Sequence, residues 1–209
     1  MALAWLASHA PLYSVRRTLL ATAFVACSVS WLASPAAAQA SPQVKFVTTE
    51  GDFVVEVYPD KAPKTSENFL QYVKDKHYDG TVFHRVISNF MVQGGGYDAS
   101  YAEKKTRAPV VHEGREALAK GGPKNVVGTL AMARTNDPNS ASSQFFINVK
   151  DNDFLNPSTQ APGYTVFGQV VSGMDVVNKI KAVPTGAGGP FPSDVPRTPV
   201  VIKSATLVN

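Results

Sequence analysis

Apolar residues come in short runs along most of this chain, separated by turn signals. Val44 to Thr48 and Phe53 to Tyr58 are β-rich runs around Glu50-Gly51-Asp52, which predicts a hairpin. Pro63 suits a first helical turn, because proline lacks the N–H that a helix start leaves unused. Thr65 to Lys74 follows, with Phe69, Leu70, Tyr72 and Val73 forming a partial apolar stripe. Tyr78-Asp79-Gly80 turns the chain into a strand over Thr81 to Ile87. Val127 to Ala133, Gln144 to Val149 and Thr165 to Val171 read as three more strands. Gly173 to Lys181 reads as a second helix, with Met174, Val177 and Ile180 at helical spacing, and Val200 to Val208 as a closing strand. Residues 97–125 are polar and carry Gly114, Gly121, Gly122 and Pro123, the pattern of a long loop. Residues 184–199 hold five prolines and three glycines and read as a surface loop. Many short strands with two helices argue for a closed β-barrel or a sandwich; the pattern does not choose between them.

The first 40 residues stand apart. Arg16-Arg17 precede an uncharged, mostly apolar run from Thr18 to Leu32, followed by small-x-small sites at Ala36-Ala37-Ala38 and Ala38-Gln39-Ala40. This predicts an export signal over 1–40, cleaved near Ala38 or Ala40, ahead of a domain over 41–209. The run is short of the roughly 20 residues a spanning helix needs, so no stable membrane insertion is expected after cleavage. Arg16-Arg17-Thr18-Leu19-Leu20 faintly resembles a twin-arginine signal. Ala26-Cys27 could end a lipoprotein box, an alternative in which Cys27 is lipidated and anchors the protein, although Phe24 fits the usual aliphatic position poorly. Cys27 is the only cysteine, so a chain cleaved after it forms no disulfide. An exported domain held together by its core alone fits a bacterial periplasm.

Composition narrows the function classes. With 44% hydrophobic and 17% charged residues, the chain suits one globular domain. Beyond residue 40 there are 18 basic and 16 acidic residues, a net +2, too weak for a nucleic-acid footprint. His77, His84 and His112 are too scattered to form a recognisable metal set, so no metal is expected. Gly94-Gly95-Gly96 lacks the Lys-Ser/Thr of a phosphate cradle, and Ser142-Ser143 lacks a nucleophile elbow. Asn136-Asp137-Pro138-Asn139 is a turn signal.

The run Phe83-His84-Arg85-Val86-Ile87-Ser88-Asn89-Phe90-Met91-Val92-Gln93-Gly94-Gly95-Gly96 carries the most chemistry. A guanidinium flanked by Phe, Val and Ile is either paired for structural reasons or held in an apolar pocket for a chemical one. The stretch resembles the signature of the cyclophilin family of peptidyl-prolyl isomerases. Two further blocks carry the same resemblance. One is Gly128-Thr129-Leu130-Ala131-Met132-Ala133-Arg134 with Ser142-Ser143-Gln144-Phe145-Phe146-Ile147. The other is Val166-Phe167-Gly168-Gln169-Val170 with Gly173-Met174-Asp175-Val176-Val177. It extends from about Val44 to Val208.

The resemblance implies a mainly β fold, a closed eight-stranded antiparallel barrel capped by two α-helices. It implies that Arg85 is catalytic. By the same resemblance Phe90, Met91, Phe146 and Leu155 wall a proline pocket, and Gln93 and Gln144 hold the substrate backbone. Ala133 and Arg134 would form the strip that pairs with residues preceding proline. Phe154, Tyr164 and Arg134 stand where eukaryotic cytosolic members carry tryptophan, histidine and asparagine. With these departures the chain looks like the periplasmic bacterial subgroup, with Phe154 and Tyr164 lining the substrate site. Losing the tryptophan indole N–H implies weak inhibition by the cyclosporin class. The expected partners are unfolded or extended proline-containing polypeptides, with no nucleic acid and no cofactor, and the expected state is a monomer. The rival reading is a chaperone module that binds proline segments with little turnover.

Overall fold

A computed structural model describes residues 40–208 of the chain. The export segment read over 1–40, with Arg16, Arg17, Cys27 and Ala38, lies outside the described residues except for Ala40, which is exposed.

Ten strands and three α-helices occur among the described residues. In chain order they are β1 (Gln43–Thr48), β2 (Asp52–Val57), α1 (Pro63–Lys74), β3 (Arg85–Ile87), β4 (Met91–Gly94), α2 (Gly114–Ala119) and β5 (Thr129–Met132). Then follow β6 (Phe145–Asn148), β7 (Val166–Ser172), α3 (Met174–Lys181), β8 (Thr185–Gly188), β9 (Phe191–Pro196) and β10 (Ile202–Val208). Eight strands form one antiparallel sheet in the order β10-β1-β2-β7-β5-β6-β4-β3, and β8 and β9 form a separate hairpin. The main sheet curls. Its end strands are joined by no continuous ladder, contrary to a fully paired barrel. A single antiparallel bridge links Val82, just before β3, to Val201, just before β10. Around it Phe83 N–H donates to the Val200 carbonyl at 3.0 Å and Ile202 N–H to the Thr81 carbonyl at 2.8 Å.

Alternation decides what faces inward. In β1 Val44 and Phe46 are buried, and in β2 Phe53, Val55 and Val57. Inside the curl, Phe46 stacks on Phe53 at 5.0 Å, and Phe69, Tyr78, Phe145 and Phe167 pack around them. The helix α1 supplies Phe69, Tyr72 and Val73 to this core, and α3 supplies Val176, Val177 and Ile180.

Three local expectations are corrected. The polar stretch 97–125 contains α2, whose Ala117 docks on the core. The Pro/Gly-rich stretch 184–199 is the β8–β9 hairpin, with Val195 buried; its prolines are tolerated because only one partner strand claims backbone bonds. The strand expected over Thr81 to Ile87 narrows to Arg85–Ile87, because Thr81 and Val82 make only isolated bridges.

The start of α1 has an unusual source of stabilisation. Ala62, at its N-cap, offers no side-chain acceptor. Instead the buried Glu113 carboxylate accepts from Lys64 N–H at 3.1 Å, Thr65 N–H at 2.8 Å and the Thr65 hydroxyl at 2.7 Å. It satisfies helix-start donors that would otherwise be orphaned, and places a negative charge at the positive end of the helix.

Candidate active site

The outer face of the sheet carries a second apolar cluster, separate from the core. Met91, Ala131, Phe146, Leu155 and Val166 are buried in it, and Ile87, Phe90, Ala133 and Tyr164 pack against it. Strand register explains how residues distant in sequence meet there. Arg85 pairs with Gln93, Gln93 with Phe146, Phe146 with Ala131, and Ala131 with Val166. Directly paired residues share a face, so these five form one transverse row. The neighbouring row, Val86, Val92, Ile147 and Leu130, points into the core.

Arg85 occupies the β3 end of the outer row and is exposed. It is not enclosed among Phe83, Val86 and Ile87 as its sequence neighbours suggest. Within β3 the pleat sends Val86 inward and leaves the guanidinium on the outer face, while Phe83, which precedes the strand, is buried in the core. The ion pairs found among the described residues, Lys45–Asp52, Lys61–Asp60 and Arg107–Asp75, do not involve it. Adjacent strands lie about 4.8 Å apart, so Arg85 begins about 10 Å from the Phe146 backbone with Gln93 between. Gln93 Nε2 donates to Gln144 Oε1 at 3.0 Å. Gly96 allows this: a Cβ there would lie 2.5 Å from Gln144 Cγ.

Beside Arg85 lies a cavity of about 420 Å³, bounded by His84, Gln93, Gln144, Tyr97 and the Phe191–Asp194 segment of β9. His84 is only 4% exposed, stacks on Phe191 at 5.4 Å and meets the edge of Tyr97 at 4.7 Å. Its Nδ1 is buried without a hydrogen-bond partner. Burial pushes its pKa down to about 4, so the ring is neutral at ordinary pH. A larger cleft of about 580 Å³, between α1 and residues 107–111, contains none of the row.

The other site residues lie at the β5–β7 end. Leu155 is buried in the outer cluster, whereas Phe154 is 73% exposed and stacks on Phe90 at 5.7 Å. Tyr164 meets Phe146 edge-on at 5.5 Å. Ala133 N–H donates to the Gln144 carbonyl at 3.0 Å. Arg134, expected to line a substrate strip, has its guanidinium turned to the backbone. It donates to the Gly163 carbonyl from Nε at 3.2 Å and Nη2 at 2.9 Å, and to the Thr135 carbonyl at 2.8 Å.

Sequence reasoning missed Ala131, Val166 and Ile87 as members of the outer cluster. It also missed a buried amide network beneath it. Asn152 Nδ2 donates to the Phe90 carbonyl at 2.9 Å and to Asn148 Oδ1 at 2.7 Å. Asn148 Nδ2 donates to Asn125 Oδ1 at 3.2 Å, and Asn125 Nδ2 to the Leu155 carbonyl at 3.2 Å. The network ties the backbones of two pocket walls to β6. The available signal was Asn148 alone, set among Phe145, Phe146, Ile147 and Val149; Asn125 follows Lys124 and Asn152 lies between Asp151 and Asp153, where an amide draws no notice.

Residues 43–207 match the family described as cyclophilin type peptidyl-prolyl cis-trans isomerase. The chain belongs to this family. Peptidyl-prolyl cis-trans isomerase B of Escherichia coli is 52% identical to this cyclophilin over 167 residues, covering 78% of the chain and 98% of that protein. A peptidyl-prolyl cis-trans isomerase of Acinetobacter baylyi is 49% identical over 183 residues, covering 88% and 94%. Among solved structures, a cyclophilin type isomerase of Cryptosporidium parvum superposes with a TM-score of 0.64 at 24% identity, over 81% of this chain and 98% of that one. The same protein has been crystallised in the presence of the dipeptide Ala-Pro; that structure gives a TM-score of 0.63 at 25% identity, over 80% of this chain and 99% of that one. This cyclophilin is therefore a mainly β isomerase with an eight-stranded curled sheet.

Proposed function

We propose that the outer-face row performs the isomerisation, with Arg85 as the catalytic residue. The transverse register from Arg85 through Gln93 and Phe146 to Ala131 and Val166 carries this reading. It sets a cation without an acidic partner among the described residues beside an apolar socket.

An X-Pro amide resists rotation because of C–N double-bond character, with a barrier of about 18–20 kcal/mol. No covalent bond is broken, so no nucleophile or general base is needed; preferential binding of the twisted amide suffices. In the twist the prolyl nitrogen loses conjugation and its lone pair accepts a hydrogen bond. A guanidinium N–H aimed there stabilises the twisted state more than the planar one. Arginine stays charged at any working pH and presents a rigid fork of donors. Met91, Phe146, Leu155 and Phe90 grip the proline ring while the preceding carbonyl swings. Gln93 and Gln144, linked to each other, hold the substrate backbone.

The substrates are extended proline-containing polypeptides; the Ala-Pro dipeptide of the Cryptosporidium relative is a minimal example of that class. The export signal read over residues 1–40 puts the mature protein in a bacterial periplasm, where it relieves proline-limited folding as a monomer. The Val82–Val201 bridge is the seam at which the curled sheet closes into a barrel.

Exchange spectroscopy of an X-Pro peptide with wild type and Arg85→Ala tests the mechanism. The variant is expected to lose roughly 10²–10³ in turnover while keeping its circular dichroism and melting curve, as for loss of one preorganised donor. Wild type that binds the peptide without accelerating exchange would convert the reading to a proline-binding chaperone.

A further inference from the structure

We infer that Arg134 is a positioning residue: together with His112 it clamps the Gly163 carbonyl and so sets the Tyr164 ring as a fixed wall of the proline socket. The inference rests on the reading of the outer cluster as that socket. Three donors converge on one backbone oxygen. Arg134 supplies Nε at 3.2 Å and Nη2 at 2.9 Å, and His112 supplies Nε2 at 3.2 Å. The tautomer follows from the other ring nitrogen, because His112 Nδ1 accepts from Gly114 N–H at 3.3 Å, which leaves Nε2 carrying the proton.

The clamped residue has little freedom of its own. Gly163 sits at φ +67°, and a Cβ there would lie 2.3 Å from the Pro157 nitrogen. Its successor is half-buried and held by three contacts. Tyr164 N–H donates to the Leu155 carbonyl at 2.9 Å. The Arg134 guanidinium lies 4.6 Å from the Tyr164 ring centroid, and Phe146 meets that ring edge-on at 80°. The aromatic ring thus contacts both a cation and a wall of the socket. Three of the five guanidinium N–H groups donate to backbone carbonyls, which holds the side chain against Gly163, so that Arg134 acts on the substrate through Tyr164.

Two measurements on the whole domain test this. The first is the NMR signal of the Tyr164 ring in tyrosine-labelled protein, which carries a ring-current shift from Phe146. Arg134→Ala is expected to move that signal toward the position of a free tyrosine while most backbone amide signals stay in place; Arg134→Lys, which keeps the charge but lacks the planar fork, moves it part of the way. A Tyr164 signal that does not respond overturns the clamp. The second is a double-mutant cycle on X-Pro peptide turnover. Arg134→Ala is expected to raise KM about tenfold with kcat changed by less than about twofold, and to add nothing further in a Tyr164→Ala background. Additive losses would mean that Arg134 meets the substrate directly, which overturns the inference. If wild type proves inactive yet Tyr164 shifts as described, the clamp stands and the isomerase mechanism falls, so the two failures are distinct.

Discussion

His84 is the residue whose ionisation has a readable consequence. Its pKa falls from 6.5 to about 4 on folding because the ring is taken out of water between Tyr97 and Phe191. The unfolded chain therefore takes up a proton near pH 6.5 and the folded protein only near pH 4. Stability owed to the neutral ring is complete above about pH 6.5 and disappears as pH drops toward 4. The shift amounts to about 3 kcal/mol at most. Denaturant titrations of wild type and His84→Phe should show wild type losing stability relative to the variant as pH falls from 7 toward 4, because only wild type has a buried ring to protonate. Parallel curves would mean that His84 is not the buried neutral group described. His77 and His112 are also pushed down by burial. A guanidinium is charged at any working pH, so turnover that rests on one should be nearly flat with pH above neutrality.

Among the elements, α1 shows how local pattern and distant contact divide the work. Pro63 and the stripe Phe69, Tyr72 and Val73 specify a helix and its inner face. The acceptor for its first N–H groups comes from Glu113, 48 residues from Thr65. Glu113→Ala leaves buried donors unmet and is expected to cost about 2–3 kcal/mol in urea unfolding, with faster amide exchange at Lys64 and Thr65. Glu113→Gln, which retains one acceptor oxygen, should cost less. Unchanged exchange at those two amides would show that the carboxylate does not cap the helix. The strands β5 and β6 make a related point. Every residue of Thr129–Met132 and Phe145–Asn148 is buried, because the core lies on one side and the outer cluster on the other. Loss of alternation was thus a legible trace of the site, since a one-sided sheet would show polar positions there.

At the scale of the whole molecule, the export reading makes its own prediction. Mass spectrometry of the mature protein should find a chain beginning at Gln39 or Ser41. A diacylated Cys27 at the N-terminus would replace that reading with a membrane-anchored one. Cleavage after Ala38 or Ala40 also removes the only cysteine, so reductant should leave the melting temperature of the mature protein unchanged.

The sequence by itself determined the family, most of the regular elements and, of the residues in the outer cluster, Phe90, Met91, Phe146 and Leu155 but not Ala131, Val166 or Ile87. Those signals are local: alternation, helical spacing, a proline at a helix start, and motifs a dozen residues long. The tertiary structure decided what depends on contacts between distant segments. It turned Arg85 to the open face rather than into an apolar enclosure, since a strand's pleat and its pairing, not its sequence neighbours, set which way a side chain points. It built α2 and the β8–β9 hairpin from stretches rich in loop residues, because burial of Ala117 and Val195 outweighs weak local propensity. It also drew Arg134 onto Gly163, 29 residues away, because a half-buried guanidinium takes the nearest carbonyl oxygens that the fold supplies.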